Sequence, residues 1–178
     1  MKFIYNSAQK IMNLFKPVVM TGILFLLFMP LSAQTGAINF SGTWKFNESK
    51  SNLGDGGPRM AATTLVIVHQ GNDMVIDRTQ PSYEGDEIKT NEKYTLDGKE
   101  CLNTGMMNSV RKSTVNWSED KKSLIIVTAI TFERDGEKME MKSTEAWKMA
   151  ADNNTLTIDS DFSSPWGEMK TTIVYDKK

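Results

Sequence analysis

The sequence predicts an all-β fold, an antiparallel up-and-down β-barrel of about 8–10 strands, and three observations carry that expectation. From residue 40 onward, short runs of β-branched and aromatic residues alternate in polarity, with almost no helical periodicity. Turn signals separate the runs at regular intervals: Gly71-Asn72, Asp97-Gly98, Glu119-Asp120, Asp135-Gly136, Asn153-Asn154 and Pro165-Trp166-Gly167. Each supplies residues that tolerate left-handed backbone angles or preset a turn. Consecutive strands joined by tight turns form an antiparallel meander, and closing the meander removes its exposed edges. A two-sheet sandwich is the competing architecture.

The elements follow in order. A first strand near 40–46 sets Phe40, Trp44 and Phe46 around Gly42. Residues 47–62 contain Gly54, Gly56, Gly57 and Pro58, too glycine-rich for strand or helix, and read as a long loop near the barrel mouth or along its wall. Strands near 63–70 and 73–80 flank Gly71-Asn72 as a hairpin. In the second of these Met74, Ile76 and Arg78 oppose Val75, Asp77 and Thr79, nearly a tie, so Arg78 is free to face either way. In the strand near 87–96, Ile88, Thr90, Glu92, Tyr94 and Leu96 read as inward, because successive strand residues point to opposite faces. A short strand near 99–103 follows Asp97-Gly98. Near 109–117, Val115 and Trp117 carry Arg111 and Ser113 inward with them. The strand near 123–132 is apolar on both faces. Near 137–149 the inward set is Met139, Met141, Ser143, Glu145, Trp147 and Met149, against a charged outer set of Lys138, Glu140, Lys142 and Lys148. Strands near 154–162 and 168–176 close the chain, with Met169, Thr171, Ile173 and Tyr175 inward.

The chain is expected to divide into a signal peptide, residues 1–33, removed on export, and a single barrel domain, residues 34–178. Lys2, Lys10 and Lys16 form a basic leader with no acidic residue before Glu48, and Val18 to Met29 form a mainly apolar region of 12 residues before Pro30-Leu31-Ser32-Ala33. A spanning helix needs about 20 apolar residues, so no transmembrane segment is expected after cleavage. The expected location is therefore exported, periplasmic or extracellular. Losing three of the 21 Lys and Arg residues, against 22 Asp and Glu, leaves a formal net charge of −4. An acidic surface argues against nucleic acid or anionic membrane as partner. Cys101 is the only cysteine, so no internal disulfide stabilises the domain, and His69 is the only histidine. The oligomeric state is not legible from these residues.

The run Phe40-Ser41-Gly42-Thr43-Trp44-Lys45-Phe46 resembles the first strand of the calycins, the lipocalins and fatty-acid-binding proteins. The end, Thr172-Ile173-Val174-Tyr175-Asp176-Lys177-Lys178, resembles the last strand of the fatty-acid-binding branch. The resemblance implies a closed barrel with Trp44 at its floor and a small hydrophobic or amphiphilic ligand inside. That branch carries Arg-x-Tyr on its last strand to hold a ligand carboxylate. Here Tyr175 keeps the Tyr position, but Ile173 replaces the Arg, and the glycine-rich loop stands where the branch has a helical lid. The overall pattern is similar to that of lipocalin-like exported bacterial proteins.

The expected function is non-covalent binding of such a ligand, fatty-acid-like or lipid-like. Its candidate binding residues are Arg111, Arg78 and Glu145 as polar anchors, with Trp117, Trp147, Tyr94, Tyr175, Met139 and Met141 as the apolar and aromatic lining. Arg offers a planar fork to a carboxylate, and Met adapts its flexible chain to varied tails. The opposing reading is a structural or interaction module of the cell envelope, its barrel packed shut around an Arg111–Glu145 ion pair. No catalytic constellation is visible. A Cys101–His69 pair has no local signature, and Tyr94, Tyr175 or Glu145 acting as acid or base would need a convergent polar cluster. One His and one Cys leave no metal set of the usual N and S donors, so neither metal nor cofactor is expected.

Overall fold

Ten strands form because each expected run finds an antiparallel partner next to it in sequence. The computed structural model describes residues 38–54, 61–82, 85–105, 108–134 and 136–178. The expected signal peptide, residues 55–60 of the glycine-rich loop and Asp135 of one turn lie outside the described residues. The strands are β1 (Gly42–Phe46), β2 (Thr64–Gln70), β3 (Asp73–Pro81), β4 (Glu87–Thr95), β5 (Cys101–Thr104), β6 (Val110–Trp117), β7 (Ser123–Arg134), β8 (Glu137–Met149), β9 (Thr155–Ser164) and β10 (Gly167–Lys177). They form one antiparallel sheet in the order β4-β3-β2-β1-β10-β9-β8-β7-β6-β5, curled into a nearly closed barrel. Every pairing but one is between sequence neighbours. The exception is β1 with β10, where Trp44 pairs with Lys177 and Phe46 with Tyr175.

β1 is short, and the chain leaves it before covering the edge of β10. The segment after it does the covering. Asn47 N–H donates to the Val174 carbonyl, Val174 N–H donates to Ser51 Oγ, and Asn52 and Thr172 exchange two backbone hydrogen bonds. A single 3-10 turn at Glu48–Lys50, capped by Asn47, fits between these contacts. The first part of the expected loop thus runs along the wall and seals the β10 edge, which would otherwise expose unpaired backbone groups.

The other seam, between β4 and β5, is closed by side chains. Asn103 on β5 receives the Lys93 N–H at 2.8 Å and donates to the Lys93 carbonyl at 3.0 Å, reproducing one rung of a ladder. Cys101 Sγ accepts from Thr95 N–H at 3.2 Å. The single thiol is therefore a seam acceptor, half-buried and in no disulfide.

Two hairpins run longer than the sequence pattern suggests. β7 continues through Glu133 and Arg134, paired with Lys138 and Glu137, and β9 continues through Ser163 and Ser164, paired with Glu168 and Gly167. Charged and small polar residues carry little strand propensity of their own, so the partner strand extends them. In the β6–β7 turn the positive φ falls on Lys121, at 56°, while Asp120 accepts from Ser118 Oγ and Lys122 N–H.

Burial divides the interior along the barrel axis. At one end Phe40, Trp44, Leu124, Trp147 and Leu156 are fully buried and fill the barrel. Trp44 Nε1 donates to the Phe40 carbonyl at 2.9 Å, and Phe40 stacks on Trp117 and meets the edge of Trp147. Lys177 lies 5.2 Å above the Trp44 ring from outside. This is the floor. Gly42 begins β1 with φ of 145°, a region that L side chains rarely occupy. A Cβ there would also lie 2.9 Å from Lys177 Cε, but that is the far end of a flexible chain and can move. The backbone angle is the larger cost. Gly42→Ala is accordingly expected to destabilise the domain by about 1–3 kcal/mol, measured by urea unfolding, and Lys177→Ala in the same chain should restore little of it.

Candidate functional site

Going up from the floor along β8, the inward residues change from aromatic to charged to small to flexible: Trp147, Glu145, Ser143, Met141, Met139. Opposite them on β7 stand Leu124, Ile126, Thr128, Ile130 and Phe132. Alternation places these on one face, and the polar middle layer is where the barrel stops being filled.

That layer is built on four charged side chains. Glu92 on β4 is 1 % exposed. Its Oε2 accepts from Arg78 Nε at 2.7 Å and from the Tyr94 hydroxyl at 2.9 Å, and its Oε1 lies 3.8 Å from Arg111 Nη1. Arg78 also lies 3.7 Å from Glu145 and packs over the face of Trp147, 5.5 Å from the ring centroid. Glu145 in turn accepts from Trp147 Nε1 at 2.8 Å. Two guanidinium groups and two carboxylates thus balance one another above the tryptophan floor.

The energetics of the cluster follow from its surroundings. Burial alone would push the Glu92 carboxyl up, but the Arg78 and Arg111 charges and the hydrogen bonds from Arg78 and Tyr94 outweigh it and hold it below the ordinary range. Burial likewise opposes the charged form of Arg78, and Glu92 and Glu145 outweigh it, so the guanidinium stays charged. The Tyr94 phenol is raised, by burial first and then by Glu92. Burial also pushes the Tyr175 phenol up to about 12. Both phenols therefore keep their protons at neutral pH and are poorly suited as general bases.

Arg111 differs from the other three. Its Nε is buried without a hydrogen-bond partner among the described residues, and its approach to Glu92 is too long for a hydrogen bond. Two cavities meet at it. One, of about 170 Å³, is lined by Arg78, Ser143, Glu145, Thr171, Ile173 and Tyr175 among others. The other, of about 310 Å³, is lined by Thr90, Glu92, Ser109, Phe132 and Met141 among others. Gln80, Arg111, Ile130 and Phe162 belong to both. The interior of the upper barrel is therefore a divided space with Arg111 at its waist.

Of the residues singled out from sequence, Arg78, Arg111, Glu145, Tyr175 and Met141 line these cavities. Trp147 and Tyr94 lie beneath them, supporting Glu145 and Glu92. Trp117 stacks on Phe40 in the floor cluster, and Met139 sits above the lining, paired with Phe132. The Arg111–Glu145 pair of the opposing reading does not form: Glu145 serves Arg78, and Arg111 faces Glu92. Glu92 is the residue that sequence reasoning placed inward but did not join to the site. The available signal was the β3–β4 hairpin, in which Glu92 pairs with Ile76, one inward step from Arg78. Gln80 and Phe162 were also missed; nothing in their local pattern separates a cavity wall from a barrel wall.

The Cys101–His69 pair does not form. His69 Nδ1 accepts from Phe40 N–H at 3.3 Å, which leaves Nε2 to donate to the Gly71 carbonyl at 3.1 Å, and its ring stacks on Phe40. Cys101 is held in the β4–β5 seam. Among the described residues no group of three or more His, Cys, Asp or Glu is placed to hold a metal ion, and no helix is long and apolar enough to cross a membrane.

Fold and interior define a nearly closed, calycin-like β-barrel with a charge-balanced layer between a packed floor and a divided cavity. A solved structure is similar to it: the zebrafish ileal bile acid-binding protein complexed with cholic acid, at 16 % identity and a TM-score of 0.50, covering 78 % of this chain and 98 % of that one. At that identity the likeness shows the fold alone. No protein-family model matches the chain, and no curated protein does.

Proposed function

We propose that this protein binds a small hydrophobic or amphiphilic molecule non-covalently inside its barrel, as an exported protein of the cell envelope or extracellular space. The observation that carries the reading is Arg111: a buried guanidinium nitrogen without a partner, at the junction of two cavities. A buried donor left unpaired costs about 1–3 kcal/mol, so the site gains when an acceptor enters. Met141, Phe132, Phe162 and Ile130 offer the apolar surface that an amphiphile's tail needs. The zebrafish protein of similar fold is complexed with cholic acid, which supports a ligand-binding barrel in general.

Native mass spectrometry of residues 34–178, with organic extraction of any bound molecule, tests the reading. A bound amphiphilic or apolar molecule, or uptake of a fluorescent amphiphilic probe with an oxygen head that Arg111→Met weakens about tenfold or more, is the expected result. No bound molecule and no uptake of any apolar probe would overturn it. The opposing reading, an interaction module with a packed interior, draws on Trp166, which is 65 % exposed at the β9–β10 turn. Its signature would be a crosslinked partner lost on Trp166→Ala, with no interior binding.

A further inference from the structure

The charge balance of the interior decides what kind of ligand head the site accepts. From it we infer that the ligand is uncharged: an amphiphile whose polar end is a hydroxyl or carbonyl oxygen set on Arg111, and not a carboxylate or other anion. This rests on the binding function proposed above and narrows it.

Two cations and two carboxylates already neutralise each other within the polar layer. Arg78 has no charge to spare, with Glu92 at 2.7 Å on one side, Glu145 at 3.7 Å on another and the Trp147 face beneath. Arg111 has an unpaired Nε, but Glu92 Oε1 already stands 3.8 Å from its Nη1. An anion placed on Arg111 would meet that carboxylate at close range and leave the buried layer with a net negative charge. In a low-dielectric interior that is the costly arrangement. A neutral acceptor satisfies the same Nε and adds no charge.

The remaining polar lining agrees. Around the two cavities the other polar groups are neutral: Gln80, Thr90, Ser109, Ser143, Ser160 and Thr171. Ile173, two residues before Tyr175, lines the smaller cavity as plain hydrocarbon and adds no charge. Hydroxyl and amide groups pair with an alcohol, ketone or ester as readily as with water, and none of them offsets an anion.

The experiment is a displacement titration at pH 7 with 1-decanol and decanoate, matched in chain length, against a bound uncharged fluorescent apolar probe. It is run on the wild-type domain and on Glu145→Gln. The Gln side chain can still accept from Trp147 Nε1, while the layer gains one net positive charge. Decanol should displace the probe from the wild type more tightly than decanoate. Because a neutral molecule also partitions better into any apolar space, the decisive quantity is the change in ratio. The affinity ratio of decanoate to decanol should rise at least about tenfold in Glu145→Gln, as one charge-assisted contact becomes uncompensated. Tighter binding of decanoate to the wild type, or a ratio that Glu145→Gln leaves unmoved, overturns the inference while the binding function stands. Binding of neither compound, and of no probe, overturns both. If Glu145→Gln does not fold, Ser143→Lys supplies the added positive charge from the same wall, and the same ratio is read.

Discussion

Glu92→Gln is expected to lower the stability of the domain by about 3–5 kcal/mol at neutral pH, the range for breaking a buried ion pair by removing one partner. Gln keeps the shape of the side chain and removes its charge. Arg78 is then left with Glu145 at 3.7 Å as its nearest carboxylate, and Arg111 loses the one it has. Both guanidinium groups stay charged and are only partly exposed, 13 % for Arg78 and 21 % for Arg111, and the penalty is theirs. The pH dependence follows from the direction of the Glu92 shift. Its carboxyl in the folded protein titrates below its ordinary value of 4.5, so the unfolded chain binds the proton more readily. The stabilisation is therefore complete above about pH 5 and is lost as pH falls below 4.5 through the folded value. Urea unfolding of wild type and variant from pH 7 to pH 3 separates this from the other carboxylates, which are common to both proteins. The gap between the two curves should be widest at neutral pH and narrow toward pH 3. A gap that stays constant with pH would mean that the loss does not come from the charge of the Glu92 carboxylate.

Trp44→Ala should cost a similar amount, about 3–5 kcal/mol, for a different reason. Trp44 is completely buried at the floor, its ring roofed by Lys177 and its Nε1 held by the Phe40 carbonyl. Truncation opens a void beside Leu65 and across the β1–β10 seam, the one pairing between strands distant in sequence. Trp44→Phe retains most of the apolar area and loses the N–H, leaving the Phe40 carbonyl unpaired at a cost of about 1–3 kcal/mol. Thermal unfolding would show the order wild type, Phe, Ala. Because Trp44 lines neither cavity, folded Trp44→Phe should bind an apolar probe as the wild type does. A binding defect in that variant would show that the floor shapes the cavity from below.

The two residues also mark how far the sequence could be read. Gly42-x-Trp44 announces its structural role locally: only Gly suits the φ of 145°, and a Trp two residues later falls on the inward face. Tyr175 is also legible, because Lys170 and Asp176 mark the opposite face of its strand. Arg78 was ambiguous, since its own strand is almost evenly apolar on both faces. Its neighbours in space decide its direction: the Glu92 and Glu145 carboxylates and the Trp147 ring all lie inside. The sequence places Trp117 and Trp147 among the candidate ligand contacts. Both point inward as expected, but height along the barrel axis puts them in or against the floor, and alternation carries no information about height.

The list of strands, the turns between them and the face to which most side chains point are legible in the chain alone. Those properties have a period of two and depend on contacts between neighbours in the chain. Which Arg meets which Glu, and where the packed floor gives way to a cavity, is set by the folded barrel. Glu92 and Arg111 stand on β4 and β6, on opposite sides of a seam that is joined by Asn103 in place of a backbone ladder. Their distance is set by the stagger accumulated around the whole barrel. No short stretch of chain encodes that sum, and so the choice of partners, and the unpaired nitrogen of Arg111 that goes with it, became visible only once the barrel had closed.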